Sequence, residues 1–248
     1  MSQELESVNA PGRVLVVMAH PDDAEFICGG TIAKWAAAGS HVVFALGTRG
    51  DKGSSDPGMS SERLMEIREH EQHDAARALG VKEVEFLGFR DAELVADLRL
   101  REAVTRVIRK HRPDALICQD PTARWSGQDY IQHPDHLAMG EATLAAVFPS
   151  ARDPLTFPQL LAEGLQPHKT PEVYLAAARE SDIWIDISES FETKIAALNA
   201  HKSQMKDWDP GPEMRRWAED NAAAARFHRF PGAGEMRLAE SFKYFRLD

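Results

Sequence analysis

The apolar run Val14-Leu15-Val16-Val17-Met18, followed at once by Ala19-His20-Pro21-Asp22-Asp23, constrains the fold more than any other feature of the chain. A continuous β-branched run of this length reads as a strand buried on both faces, and such strands belong to parallel sheets covered by helices. Open α/β sheets keep their ligand sites at the carboxyl ends of the strands. An imidazole and two carboxylates therefore arrive together where such a fold does its chemistry.

The segments that follow repeat the alternation. Residues 24–38, with their alanines, Ile32 and Trp35, suit a helix closed by Gly39, and His41 to Leu46 reads as a second strand. The pair makes a right-handed βαβ unit. A glycine-containing polar loop runs from Gly47 to Ser60. A helix from Ser61 to Leu79 stopped by Gly80, a strand from Val84 to Gly88, a helix from Leu98 to His111 and a strand from Ala115 to Cys118 come next. Prolines 149, 154, 158, 167 and 171 break up the second half. Within it, Glu172 to Ala177 and Trp184 to Ile187 are strand candidates, Phe191 to Met205 and Arg215 to Phe227 are helix candidates, and Asp207 opens a loop. The order predicts a doubly wound α/β sheet. Without repeat, low-complexity tract or linker, residues 1–248 read as one domain.

A net charge of -10 argues against a nucleic-acid surface, which needs clustered Lys and Arg. No apolar stretch approaches the ~20 residues of a membrane span. The first ten residues carry acids where a signal peptide has a basic region. Cys28 and Cys118 are each flanked by apolar residues and read as buried, reduced thiols, so the expected compartment is the cytoplasm.

The His-Pro-Asp arrangement recurs as His133-Pro134-Asp135-His136. Alone, a His-x-x-His pair in a chain with ten histidines is a weak metal signal, and an Asp-Asp after a strand is ordinarily a helix cap. Together the clusters hold the parts of a metal hydrolase. Catalytic zinc takes three protein ligands from imidazole nitrogen and carboxylate oxygen, and His20, Asp23 and His136 supply such a set. Asp22 is then the spare carboxylate and natural general base for water made acidic by the metal. His133 can stabilise an oxyanion or protonate a leaving amine, and Asp135 can fix the His133 tautomer. Two imidazoles and a carboxylate also suit iron or cobalt.

The chain resembles the PIG-L/LmbE-like zinc-dependent N-acetylglucosaminyl deacetylases. The resemblance rests on residues 19–23 with Gly29-Gly30-Thr31, on Ile67-Arg68-x-x-Glu71, Ala78-Leu79-Gly80-Val81, Phe86 to Asp91, His133-Pro134-Asp135-His136 and His201-Lys202-Ser203-Gln204. It implies a Rossmann-like three-layer sandwich with a mostly parallel sheet and a single zinc on His20, Asp23 and His136. It further implies Asp22 as base, His133 at the oxyanion or leaving group, and Arg68 and Asp91 facing the sugar of a small amino-sugar substrate. A homo-oligomer, trimer or hexamer, is implied as well. Residues 124–131, with Trp125 and Tyr130, resemble the diacetylchitobiose and small N-acetyl-sugar deacetylases. Asp51, in the loop after the second strand, is a candidate substrate contact, and Gly29-Gly30 reads as close backbone packing because no phosphate-binding glycine pattern is present.

The leading expectation is a zinc hydrolase that removes the N-acetyl group from a GlcNAc-containing small molecule or short oligosaccharide. Against it stand an amidase acting on a glucosaminide-thiol conjugate, a metal- or sugar-binding module without turnover, and a nucleotide-binding Rossmann protein. The spare carboxylate of Asp22 counts against the module, and the missing glycine fingerprint against the nucleotide binder.

Overall fold

The computed structural model describes residues 10–206 and 208–247. The acidic segment up to Asn9, expected not to be a signal peptide, and Asp207, expected to open a loop, lie outside the described residues. In chain order the elements are β1 (Arg13–Met18), α1 (Asp23–Ala37), β2 (His41–Thr48), α2 (Ser61–Leu79), β3 (Glu83–Phe89), α3 (Leu98–His111) and β4 (Ala115–Gln119). A small hairpin, β5 (Trp125–Ser126) and β6 (Tyr130–Ile131), leads into α4 (Pro134–Ala145), which runs on as a π-helical turn over Ala146–Ser150. Then come α5 (Pro158–Ala162), β7 (Glu172–Ala176), β8 (Ile183–Asp186), α6 (Phe191–Leu198), α7 (Lys202–Met205), α8 (Gly211–Phe227) and β9 (Ala239–Arg246).

The main sheet has the order β3-β2-β1-β4-β7-β9-β8. Its pairings are parallel except those of β9, which runs antiparallel to both β7 and β8. The apolar run of β1 explains the layering. Val14, Val16 and Met18 pack with Ile32 and Trp35 of α1 and Ala75 and Leu79 of α2, whereas Leu15 and Val17 pack with Leu100, Val104 and Ile108 of α3 and Met139 of α4. Alternate residues of one strand thus fill two cores, and the fold is the expected Rossmann-like three-layer sandwich.

Because the chain leaves β1 toward β2 and β3 and then returns to β4 on the other side, the order in which strands are added reverses between β1 and β4. Ligand crevices of such sheets open at this point.

Helix α1 is kinked at Cys28, where φ is -146°. The break frees the amides of Gly30 and Thr31, and these donate to Glu240 Oε1 and Oε2 of β9 at 3.0 and 2.7 Å. Lys194 of α6 donates to the same carboxylate at 2.6 Å. Gly30 also packs closely, as expected: a Cβ there would stand 2.8 Å from Ile187. The C-terminal strand and α6 so hold the helix that carries the first cluster.

Two expectations are corrected. The helix expected over residues 191–205 is two helices, because the chain turns at Asn199 to His201 and buries His201 completely. The last helix starts earlier, at Gly211, with a proline in its first turn. Strand β9, the hairpin and α4 were not foreseen. No helix among the described residues is long and apolar enough to cross a membrane.

Candidate active site

The two His-Pro-Asp clusters meet above the β1 and β4 ends. His20 leaves β1, Asp22 occupies the N-cap position of α1, and Asp23 is the first residue of that helix. The second cluster is likewise a helix start, with His133 as N-cap of α4 and Pro134 behind it, so Asp135 and His136 lie in the first turn. The rings of His20 and His133 have centroids 4.7 Å apart, and those of His20 and His136 are 5.2 Å apart.

Three donor groups converge. His20 Nδ1 lies 3.3 Å from His136 Nε2 and 3.4 Å from Asp23 Oδ2, and His136 Nε2 lies 3.0 Å from Asp23 Oδ1. Ligands about 2.0–2.1 Å from a tetrahedral zinc are separated by about 3.3 Å, so these spacings fit such an ion. The outer ring nitrogens are anchored too. His20 Nε2 faces Asp135 Oδ2 and Asp91 Oδ1, each at 3.1 Å, and His136 Nδ1 faces Gln132 Oε1 at 2.8 Å. A neutral imidazole that presents one nitrogen to a metal donates the other N–H in this way. Gln119, at the end of β4, donates from Nε2 to Asp23 Oδ2 at 3.0 Å.

Charge points in the same direction. Four carboxylates, Asp22, Asp23, Asp91 and Asp135, cluster here, and Arg68 reaches Asp22 and Asp91 at 3.3 and 3.7 Å. Burial works against a charged His20, yet the carboxylates of Asp135, Asp23 and Asp91 outweigh it and push the imidazole up to about 12. Burial likewise opposes ionisation of Asp23, but His136 and His20 hold it well below the usual carboxylate range. These carboxylates favour positive charge among the donors, carried by a proton on His20 or by a metal ion.

Asp22 is a different carboxylate from its neighbour. Its backbone is left-handed, φ 85° and ψ -26°, and its side chain caps nothing. This conformation costs a residue with a Cβ about 1–3 kcal/mol and persists where the surroundings impose it. Arg68 Nη2 lies 3.3 Å from Asp22 Oδ2. Burial lifts the Asp22 carboxyl to about 6, with Arg68 opposing and Asp23 adding to the rise. A carboxylate poised near neutrality is suited to general-base work.

His133 is the accessible member of the group, its side chain 37% exposed. Burial and the charge on His20 lower its pKa. Its Nδ1 accepts the Asp135 amide at 3.2 Å, so the neutral ring carries its proton on Nε2. The expected contact of the Asp135 carboxylate with His133 is long, 4.0 Å to Nδ1, and the carboxylate lies closer to His20, so it is the Asp135 amide that sets the His133 tautomer. Asp135 also accepts the amides of Ala92 and Leu94 at 2.7 and 3.2 Å. Arg68 enters from α2 beneath the site, buried, with donors on the carbonyls of Pro21 and Lys52 at 2.8 and 3.1 Å. Gly50, at φ 68°, leaves room for it, since a Cβ there would stand 2.6 Å from the guanidinium. Asp91 Oδ2 lies 3.7 Å from Arg68 Nη1. Asp51 is buried and accepts the Asp91 amide at 2.7 Å.

Residues 15–147 match the family of GlcNAc-PI de-N-acetylases, PIG-L. The diacetylchitobiose deacetylase of Thermococcus kodakarensis is 33% identical over 210 residues, covering 83% of this chain and 76% of that protein. The chain belongs to the PIG-L family. A probable N-acetyl-α-D-glucosaminyl L-malate deacetylase of Bacillus cereus is 32% identical over 198 residues, covering 77% of this chain and 83% of its own. Among solved structures, the N,N'-diacetylchitobiose deacetylase of Pyrococcus horikoshii, in complex with an inhibitor, superposes with a TM-score of 0.86 at 28% identity over 98% of this chain and 88% of that one. The PIG-L relatives named here are deacetylases of molecules that carry N-acetylglucosamine.

Sequence reasoning missed Gln119 and Gln132. Gln119 ends an otherwise apolar strand, Ala115 to Cys118, and a polar residue at that end of a buried strand was a readable signal. Gln132 immediately precedes His133, but nothing in its spacing says that it serves His136.

Proposed function

We propose that the protein is a zinc-dependent N-deacetylase that hydrolyses the acetamide of a GlcNAc-containing small molecule or short oligosaccharide. The observation that carries this reading is the convergence of His20 Nδ1, Asp23 and His136 Nε2 at 3.0–3.4 Å, with the neighbouring Asp22 carboxylate held apart from them on Arg68. One zinc per chain fits these three donors. Bound there, it supplies a Lewis acid for the acetyl carbonyl and acidifies water.

The remaining work belongs to side chains. Asp22 accepts a proton from the water that attacks the acetyl carbon, through a carboxylate that Arg68 orients. His133, neutral with its proton on Nε2, donates a hydrogen bond toward the acyl oxygen, and the proton that Asp22 has taken passes to the departing nitrogen. A C–O bond forms, the C–N bond breaks, and acetate and the free amine result. Asp135 acts through His20, whose ring it fixes. Arg68 and Asp91 form the floor of the sugar subsite, and Asp51 supports that floor through the Asp91 amide.

Residues 1–248 act as one domain in this reading, supported by the return of β9 to the same sheet as β1. The buried free thiols Cys28 and Cys118 favour the cytoplasm. A homo-oligomer, trimer or hexamer, belongs to this reading through the family resemblance, and an interface could cover exposed apolar side chains such as Ile131, Phe148 and Leu155. The test is acetate release by zinc-loaded protein from N-acetylglucosamine, N,N'-diacetylchitobiose and the GlcNAc-malate conjugate. The reading predicts release from at least one, and intact substrates throughout contradict it.

A further inference from the structure

The left-handed backbone of Asp22 needs a restraint, and the structure supplies it from α2. The peptide joining Pro21 to Asp22 is gripped at both ends. Its carbonyl oxygen accepts from Arg68 Nη2 at 2.8 Å, and its N–H donates to Gln72 Oε1 at 3.0 Å. Arg68 and Gln72 stand one turn apart on α2 and so share a face. Any rotation of that peptide plane swings the Asp22 side chain that follows it.

The orientation of the Gln72 amide is itself imposed. Its Nε2 donates to Glu25 Oε1 at 2.8 Å, and a carboxylate only accepts, so the oxygen of the amide must face Asp22. Behind Glu25 stands His201, with Nε2 3.6 Å from Glu25 Oε2. Gln72, Glu25 and His201 are all 0% exposed. Glu71, beside Gln72 on α2, accepts the amide and hydroxyl of Ser203, both at 2.7 Å, and fixes the short helix that follows His201. The His201-Lys202-Ser203-Gln204 segment lies outside the catalytic groups, and this chain gives it a task.

We propose that Gln72 is a positioning residue that sets the Asp22 carboxylate by holding the Asp22 amide, with Glu25 orienting Gln72 and His201 balancing Glu25. The inference rests on Asp22 being the base of the reaction proposed above. Asparagine at position 72 is one methylene too short to bridge Glu25 and Asp22. Gln72→Asn is expected to lower kcat for acetate release by about tenfold to a hundredfold, the scale of a catalytic group displaced by about 1 Å, with KM within about twofold. Its zinc content should equal that of wild type. In an Asp22→Asn background the same substitution should cost nothing further. A residue that merely stabilised the fold would lower the melting temperature and leave kcat of the folded, zinc-loaded enzyme unchanged, and that result overturns the proposal.

Amide exchange in the wild-type protein gives a reading that requires neither turnover nor a folded variant. Amides at helix starts ordinarily exchange fast because they lack helical partners. Strong protection of the Asp22 N–H is expected here, and fast exchange overturns the clamp. Absence of acetate release in wild type would remove the proposed reaction, whereas fast exchange in an active wild type would remove only the clamp.

Discussion

Gln132 and Asp135 have no place among the expected ligands, yet each fixes the ring of one. Gln132 Oε1 takes the outer nitrogen of His136 at 2.8 Å, and Asp135 Oδ2 takes that of His20 at 3.1 Å. Losing such an anchor ordinarily weakens metal binding about tenfold to a hundredfold. Gln132→Ala should therefore raise the zinc Kd by about that factor in a competition titration with a chelating dye, and an unchanged Kd would sink the anchoring role. At this scale the sequence was legible for residue types and illegible for partners. Two His-Pro-Asp clusters were enough to gather His20, Asp22, Asp23, His133, Asp135 and His136 into one site. Spacing could not decide which imidazole the Asp135 carboxylate serves. It sits two residues from His133, and the helix start turns it instead toward His20, on another element. Arg68 and Asp91, for which the resemblance implies substrate contacts, lie beside Asp22 and His20, but the carbonyls of Pro21 and Lys52 that hold Arg68 come from loops whose path no local pattern encodes.

Among the elements, the kink in α1 and the clamp between β3 and α3 have measurable consequences. At the kink, Glu240 accepts two helix amides and pairs with Lys194, with both side chains buried. Removing one member of a buried pair leaves an uncompensated charge, at a cost of about 3–5 kcal/mol. Glu240→Ala should lower the unfolding free energy in urea by that order, and a loss below about 1 kcal/mol would contradict the account. In the clamp, Glu85 of β3 accepts from Lys110 Nζ at 2.5 Å and from His111 Nε2 at 2.6 Å, both in the last turn of α3. Burial raises the Glu85 pKa, and the two donors outweigh it and hold the carboxyl below its ordinary value of 4.5. The unfolded chain thus binds this proton more readily than the folded one. The stabilisation is present above about pH 4.5 and disappears as pH falls through the folded value. Urea midpoints measured from pH 6 to pH 3 should fall more steeply for wild type than for Glu85→Gln, and parallel curves would remove this contribution. Helix α3 was readable because its apolar residues recur on one face before Pro113, and in the structure Asp97 caps it, accepting the Leu100 amide at 2.9 Å. Strand β9 was not, since its value lies in filling the gap between β7 and β8, a relation between distant segments. The break at His201 was hidden for the same reason: the residues on either side favour helix, and burial of the imidazole against Glu25 wins.

Across the whole molecule the sheet sets the arrangement. One strand with apolar residues on both faces requires two helical layers. The reversal of strand order between β1 and β4 opens a crevice, and the chain puts a His-Pro-Asp cluster on each of two helix starts facing it. The two layers followed from the opening run and the alternation of elements behind it, whereas the strand order and the second helix start, α4, did not. What the fold adds is the separation of two adjacent aspartates into different environments. Asp23 is buried beside two imidazoles and held ionised, whereas Asp22 is turned away by a left-handed backbone and lifted toward neutrality. In the proposed reaction these environments give metal binding to one and proton transfer to the other. Zinc content and acetate release measured side by side for Asp22→Asn and Asp23→Asn test it most directly. The account predicts that Asp22→Asn keeps its zinc and loses about 10²–10⁴-fold in kcat, while Asp23→Asn loses the zinc itself. An Asp22→Asn enzyme with wild-type turnover, or an Asp23→Asn enzyme that retains zinc at wild-type affinity, would contradict it.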